Sequence, residues 1–567
     1  MARQLTKTNQ SFEVIASNNY FFVDKTMFIR EWWKKGEAVT LVTRPRRFGK
    51  TLTLNMLECF FSIQYKDKAD LFSRYDISKD AEMMQKQGKY PVIAFSLATS
   101  TGSTYQSMLL QLSSTIRKVY ERVEDNLNLH NVNQRDRKYM EMILAERFDE
   151  DHNPLPLSED LLMDSLNRLS RILYKNHGNT KVIILLDEYD APLENAYLRG
   201  YWDKAAEFFG NFYKNTFKVN AYLERALVTG INMLPKESLN SPFNNPDPCS
   251  VLDSSYGDVF GFTQQEVDDA LLEYKLIGQR EEVKRWYDGY QFGDWKDMYN
   301  PWSICFMMEK RKTGMYWANT ASNEIVSLVL KNGSIALKDQ FFTLMQGGSV
   351  AGKVKDTVTF KTLRSSKDAV WGLLVTCGYL KAIDASGNGY ALEIVNHEVM
   401  EMMDDLVLGW FSTDGDTAYE DFISAMVACD AEGMNETLAR LSLELMGSAD
   451  TATEENSKDA ENFYHGFVLG LLASTRNRFV VTSNRESGKG RYDIMMEPLD
   501  KTKDQGIIIE FKVFNPKKEK DLEGTCQRAL QQIEDKKYDI ELKKHGIQRI
   551  AKFGIGYSGK DVLVTKK

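Results

Sequence analysis

Val39-Thr-Leu-Val-Thr-Arg-Pro-Arg-Arg-Phe-Gly-Lys-Thr51 is the stretch from which the fold follows. Its first five residues, β-branched and aliphatic, predict a buried strand. A loop ending Gly-Lys-Thr comes next, and Leu52-Thr-Leu-Asn-Met-Leu-Glu-Cys-Phe-Phe61 then sets apolar residues at helical spacing. Strand, glycine-bearing loop and helix in that order make the cradle a nucleotide phosphate needs, with backbone N–H groups turned inward. Within it Gly49 permits close backbone approach, Lys50 reaches the β- and γ-phosphates, and Thr51 ligates Mg²⁺. Arg44 stands where the motif usually has glycine, so its loop dihedrals are constrained differently, and Pro45 stiffens the turn.

A second run, Lys181-Val-Ile-Ile-Leu-Leu-Asp-Glu-Tyr-Asp190, predicts a parallel strand buried on both faces. Its carboxylates fall at the C-terminal end, where open α/β sheets bind ligands. Asp187 would hold Mg²⁺ through water and Glu188 would polarise the attacking water. Tyr90–Leu97 and Arg225–Gly230 read as further strands, and helices are expected from near Ser103 and Ser158, with a polar insertion around Asp125–Pro156. Thr229 and Asn232 follow the last strand, at the place for a polar sensor of the γ-phosphate. Tyr20–Thr26, ahead of the loop, can either lie against the nucleotide base or lead into a helix packed on the sheet.

The length of 567 residues predicts two to four domains, and 43% hydrophobic with 27% charged residues is ordinary for a globular protein. No apolar run approaches the roughly 20 residues of a membrane span, and the N-terminus lacks the apolar core of a signal peptide. Six cysteines without a CxxC pair point to reduced thiols and a cytoplasmic location, and six dispersed histidines leave oxygen ligands for any metal. A net charge of −8 excludes generic polyanion binding, so nucleic-acid contact must come from local patches such as Arg44–Lys50 and the tract from Lys512.

Near the C-terminus, Gly490-Arg-Tyr-Asp-Ile-Met-Met496 and Gly506-Ile-Ile-Ile-Glu-Phe-Lys-Val513 read as two strands of a hairpin. Strand alternation puts Glu510 and Lys512 on one face, and Asp493 can approach that face from the neighbouring strand. Two carboxylates and a lysine converging there suit a Mg²⁺ site. The metal would activate water and neutralise phosphodiester charge, with Lys512 placing the hydroxide or stabilising the pentavalent state. A surface hairpin laced by salt bridges is the plainer alternative, but Glu510 sits among isoleucines and Phe511, and a buried charge needs a partner or a metal. Lys517, Lys518, Lys520, Arg528, Lys536 and Lys537 add cations suited to a phosphate backbone.

Phe22-Val-Asp-Lys-Thr26, Arg44–Thr51, Asp187-Glu-Tyr-Asp-Ala-Pro192, Thr229-Gly230, Phe260-Gly-Phe-Thr263, Trp286-Tyr-Asp-Gly-Tyr290 and Asn300-Pro-Trp-Ser303 together resemble the bacterial AAA-ATPase-like family. That family typically carries a C-terminal PD-(D/E)XK nuclease-superfamily domain. The resemblance implies an α/β fold. A P-loop NTPase with a parallel sheet fills 1–265, and a helical, winged-helix-like lid 266–446. A linker at 447–459 precedes a restriction-endonuclease-like domain over 460–567. It makes the Arg-Pro-Arg-Arg loop the family's own form, with Arg44, Arg46 and Arg47 crowding the phosphates. It assigns Glu461 as the first-helix acid of the nuclease fold and Gln532 as the polar residue of a later helix. Met233 departs from the arginine expected after the Thr-Gly strand. The implied function is an ATP-gated, Mg²⁺-dependent nuclease acting on nucleic acid, DNA foremost, with defence against mobile DNA an analogy only. A nucleotide-dependent switch or scaffold that binds nucleic acid without cutting it is the alternative, and homo-oligomerisation stays open.

Overall fold

The structure is a computed structural model that describes residues 2–6, 8–125, 127–128, 131–234, 246–317, 324–331, 335–345, 347–355, 357, 360–363, 366–384, 389–409, 418–445, 468, 471–472, 475, 478–483, 486–488, 490–558 and 561–567. Two compact units form: 1–325 with 352–391 and 395–398, and 326–351 with 392–394 and 399–567. No described helix is long and apolar enough to cross a membrane.

The first unit is built on five parallel strands, β1 (Val39–Thr43), β2 (Val92–Ser96), β3 (Val182–Asp187), β4 (Leu223–Gly230) and β5 (Asp247–Cys249), in the order β2-β3-β4-β1-β5. Every residue of β1 and β3 is buried, as the unbroken aliphatic runs require. The register pairs Val42 with Thr229 on one side of β4 and Leu186 with Val228 on the other. The end of β4 therefore lies between the loop after β1 and the carboxylate ending β3.

Helix Lys50–Phe61 springs from Gly49, whose φ of 81° is the left-handed conformation that glycine adopts without strain. Helix Met27–Lys35 packs on the sheet through Trp32, which donates from Nε1 to Thr40 Oγ1 at 3.2 Å. The polar insertion after Asp125 contains helix Gln134–Leu144, which buries Tyr139, Met140 and Ile143. After β5 come the hairpin β6 (Tyr290–Phe292) and β7 (Trp295–Met298), helix Pro301–Lys310, β8 (Val350–Gly352), helix Lys367–Thr376, and strands β9 (Leu380–Asp384) and β10 (Tyr390–Ile394).

The second unit centres on a mixed sheet of β11 (Phe479–Ser483), β14 (Ile494–Pro498), β15 (Gly506–Val513), β16 (Ile550–Ser558) and β17 (Asp561–Lys566), in that order. A small hairpin, β12 (Glu486–Ser487) and β13 (Gly490–Arg491), precedes β14. Strand β15 is central, antiparallel to β14 and parallel to β16, and its first six residues are buried. Helix Leu522–Lys536 follows it and lies close on β16 because Gly554 has no side chain: a Cβ there would stand 2.4 Å from the Cys526 carbonyl. Helices Ala418–Val427 and Ala431–Leu445 send Phe422, Met426, Met434 and Leu438 into the core shared with Ile507, Ile509 and Phe511. The expected linker at 447–459 and Glu461 lie outside the described residues. Val468, Leu471 and Leu472, from the helical stretch expected after that linker, are buried in the same core.

Candidate functional site

Two constellations emerge. In the first, Asp187 at the end of β3 accepts Thr51 Oγ1–H and Thr229 Oγ1–H, each at 2.5 Å, and its own neighbour's N–H, Glu188, at 3.0 Å. Strand β4 makes this possible by placing Thr229 between the loop and the carboxylate. Thr229 is fully buried, so it reaches the site through Asp187. Glu188 holds a left-handed φ of 51°, and burial together with Asp187 raises its pKa. Lys50 Nζ donates to the carbonyls of Arg44 and Pro45 at 2.8 and 2.7 Å, and burial lowers its pKa to about 8. These residues open onto a cavity of about 650 Å³ lined by Arg46, Arg47, Gly49, Lys50, Thr51 and Glu188. Phe21, Phe22 and Val23 line another part, so the segment expected near the base does border the cavity while its following helix packs on the sheet.

Arg44 behaves differently from expectation. Its guanidinium is completely buried and donates to the carbonyls of Thr43, Cys249, Ser250 and Ser255 at 2.7–3.1 Å, over the rings of Phe292 and Phe260. It therefore does not crowd the phosphates. It ties the start of the loop to the end of β5, and the positive φ values of the loop fall at Arg47 and Gly49 instead. Arg46 faces Glu194 at 3.8 Å, and Arg47 lies 4.2 Å over the Trp302 ring. Asn232, expected as a sensor, is fully buried and accepts from Thr376 Oγ1 at 3.0 Å.

The second constellation lies on β15. Asp493, one residue ahead of β14, accepts the Phe511 N–H at 2.8 Å, which brings it beside Glu510. Glu510 is 1% exposed. Its Oε1 accepts Lys512 Nζ at 2.9 Å and Gln532 Nε2 in a short contact. Its Oε2 is buried with no partner among the described residues. Burial and the nearby Asp493 charge raise the Glu510 pKa, against the pull of Lys512. A buried carboxylate oxygen with an empty lone pair beside a second carboxylate fits a hard cation. Among the described residues no three His, Cys, Asp or Glu side chains form a ready metal cluster. Two carboxylates with water completing the shell are nonetheless the usual protein contribution to a Mg²⁺ site. Glu461 cannot be placed, lying outside the described residues.

Residues 8–240 match the family described as Predicted AAA-ATPase, and residues 459–567 match the PD-(D/E)XK nuclease superfamily. The chain joins an AAA-ATPase-like domain to a PD-(D/E)XK nuclease-superfamily domain. Over 309 residues it is 26% identical to a protein of Azotobacter chroococcum mcd 1 described as "Uncharacterized protein in vnfD 5'region", covering 54% of this chain and 51% of that one. It thus spans about half the length of that curated relative. Among solved structures, the Walker-type ATPase paby2304 of Pyrococcus abyssi aligns with 67% of this chain and 96% of its own, at 15% identity and a TM-score of 0.37.

Several residues around the ATPase-like cavity escaped sequence reasoning. Glu194 lines it, and burial raises its carboxyl to about 7 despite Arg46. Asp190 accepts the N–H groups of Ile231 and Asn232 at 3.0 and 2.6 Å and so fixes the turn after β4. Asn300 and Trp317 both donate to the Arg46 carbonyl, at 3.3 and 3.0 Å. Glu398, fully buried, accepts the Tyr316 and Trp317 N–H groups and the Ser303 hydroxyl. Asn300 and Trp317 thus brace the phosphate loop. For Asn300 the available signal was the Asn300–Ser303 motif. In the nuclease-superfamily domain, Tyr538 is the residue missed: its hydroxyl accepts from Gln532 at 3.1 Å and donates to the Arg491 carbonyl.

Proposed function

We propose that the protein is a Mg²⁺-dependent nuclease that cleaves nucleic-acid phosphodiesters, DNA foremost, under the control of ATP bound at the P-loop. The observation that carries the reading is Glu510: a buried acid whose Oε2 lacks a partner, flanked by Asp493, Lys512 and Gln532. Asp493 and Glu510 would hold Mg²⁺, which when bound supplies an acidified water and charge neutralisation at the phosphate. Lys512, already directed at Glu510 Oε1, adds a cation for the charge that develops on the phosphoryl oxygens. Gln532 orients the Glu510 carboxylate by donating to the same oxygen.

At the other centre Thr51 and Asp187 are the residues for a nucleotide-bound Mg²⁺, and Glu188 for the attacking water. Arg46 and Arg47 border the same cavity and add charge against the phosphates. Thr229 keeps Asp187 oriented, and Lys50 must release the Arg44 and Pro45 carbonyls to meet the phosphates. Nucleotide state then decides when the nuclease centre acts. The protein works as a water-soluble cytoplasmic enzyme on this reading.

Plasmid cleavage by the full chain, with Mg²⁺ and with or without ATP, tests both parts. Asp493→Ala is expected to abolish cutting and Lys50→Ala to abolish its dependence on ATP. Undiminished cutting by Asp493→Ala removes the catalytic assignment, and equal cutting by Lys50→Ala removes the gating. Nucleic-acid binding with no cleavage under any divalent metal leaves the switch or scaffold in its place.

A further inference from the structure

The hairpin β12–β13 is too small to be stable alone, since two short strands bury almost nothing. It is instead fastened to the end of helix Leu522–Lys536. Ser487 Oγ donates to the Tyr538 carbonyl at 2.8 Å, and the Arg491 carbonyl accepts the Tyr538 hydroxyl. Gly488 sits flush on the helix end: a Cβ there would lie 2.1 Å from the Lys536 carbonyl and 2.5 Å from that of Lys537, and its φ is +62°. Gly490 leaves room for the Tyr538 hydroxyl, which a Cβ would approach to 3.3 Å. Ser487, Gly488, Gly490 and Arg491 therefore serve one docking.

That docking is continuous with the metal-binding carboxylate. Glu510 accepts from Gln532, Gln532 also donates to Tyr538, and Tyr538 donates to Arg491. Asp493 follows Arg491 by two residues. The exposed cations at this junction are Arg491, Lys536 and Lys537, with Asp535 next to Lys536 and Glu486 opposite Arg491 in the hairpin register, and no ion pair engages the three cations among the described residues. Several other cations of the domain are paired: Arg528 with Glu519, Lys552 with Glu534 and Asp539, and Lys543 with Asp539, whereas Lys517, Lys518 and Lys520 form a separate exposed cluster after β15. Three clustered cations on a platform tied to the proposed nuclease centre have the character of a polyphosphate contact.

We propose that hairpin β12–β13 and the adjoining end of helix Leu522–Lys536 form the surface that grips the nucleic-acid backbone and sets a strand against Asp493, Glu510 and Lys512. The inference rests on the nuclease reading above and names its substrate-positioning residues. Arg491, Lys536 and Lys537 neutralise phosphates and read no base. Tyr538 is the positioning residue that keeps their platform in register with Gln532.

The test is the salt dependence of binding by the full chain in EDTA, where metal-dependent cleavage is suspended. The probe is a fluorescein-labelled oligonucleotide, presented as duplex and as single strand. The variant Arg491→Gln/Lys536→Gln/Lys537→Asn, with asparagine chosen for the left-handed Lys537, removes three phosphate contacts. Its plot of log affinity against log salt should be shallower by about 2.7 on duplex or about 2.1 on a single strand. The charge-keeping variant Arg491→Lys/Lys536→Arg should retain the wild-type slope. If the triple variant has lost its thermal transition, Arg491→Gln alone is read, with a slope shallower by about 0.9 on duplex. A wild-type slope in the neutral variant overturns the proposal. So does a fall that appears only in Lys517→Gln/Lys518→Gln/Lys520→Gln. Failure of the wild-type chain to bind nucleic acid overturns the proposal and the nuclease reading together. An unchanged slope in a variant that still binds and cuts overturns the grip alone.

Discussion

Asp187 and Glu510 are both buried acids at the centre of a constellation, but they are satisfied in opposite ways. Asp187 has hydroxyl donors on both oxygens, Thr51 on one and Thr229 on the other. Glu510 has Lys512 and Gln532 on Oε1 and nothing among the described residues on Oε2. The first site is closed by the protein itself, with Lys50 also folded back onto its own loop. The second leaves a buried carboxylate oxygen without a partner among the described residues and carries a raised pKa because burial and Asp493 oppose its charge. A closed site rests until a ligand displaces its internal bonds, whereas an open one is built to receive a cation directly. On the proposed reading this contrast separates the control centre from the chemical one.

The two acids should differ most in turnover. Glu510→Gln keeps the shape but removes the anion, and cleavage is expected to fall on the order of 10²–10³-fold or more, as loss of a key electrostatic group does. Gel-based cleavage rates check it. Asp187→Asn should abolish measurable ATP turnover while leaving the fold intact, because the amide oxygen still accepts one threonine hydroxyl. Phosphate release together with a thermal melt reads both outcomes.

A smaller effect concerns stability without metal. The folded-state pKa of Glu510 is raised, so folding favours its protonated form. Its contribution is fully present below the ordinary carboxylate range and is lost as pH rises through the raised value. In EDTA the melting temperature should therefore drop over that interval. Glu510→Gln should remove this part of the drop, and Mg²⁺ should offset it by binding the carboxylate. The smallest effect belongs to Glu194, whose carboxyl lies at about 7. Above that pH its charge holds Arg46 and repels phosphate, so ATP affinity should decline as pH rises through about 7 more in the wild type than in Glu194→Gln. Fluorescent-nucleotide titrations across pH measure the difference, expected to be a few-fold.

The parts legible in the sequence are those whose signal is local. Val39–Thr51 and Lys181–Asp190 each carry a strand and its functional end in one contiguous run, and β1 and β3 form where those runs lie. The short interval from Glu510 to Lys512 fixes which face both side chains share, and the register of β14 on β15 carries Asp493 to it. What escaped depends on contacts distant in the chain. Arg44 turns away because its acceptors Cys249, Ser250 and Ser255 arrive some two hundred positions later. Trp317 stands in no motif and acquires meaning only by joining Asn300 on the Arg46 carbonyl, while its own N–H is held by Glu398. Helix Gln134–Leu144 hid in a polar stretch because it buries just one narrow face. Helices Ala418–Val427 and Ala431–Leu445 carry no motif that ties them to the sheet whose core they fill.

The central claim is that the centre on β15 cuts nucleic acid, and single-turnover cleavage by wild type and Lys512→Ala tests it most directly. The full chain is mixed with end-labelled duplex or single strand, Mg²⁺ and ATP, and product is followed over time. Cutting by the wild type is expected, with a loss on the order of 10²–10³-fold in Lys512→Ala, the scale for removing one transition-state cation or donor. Equal rates from the two proteins would contradict it.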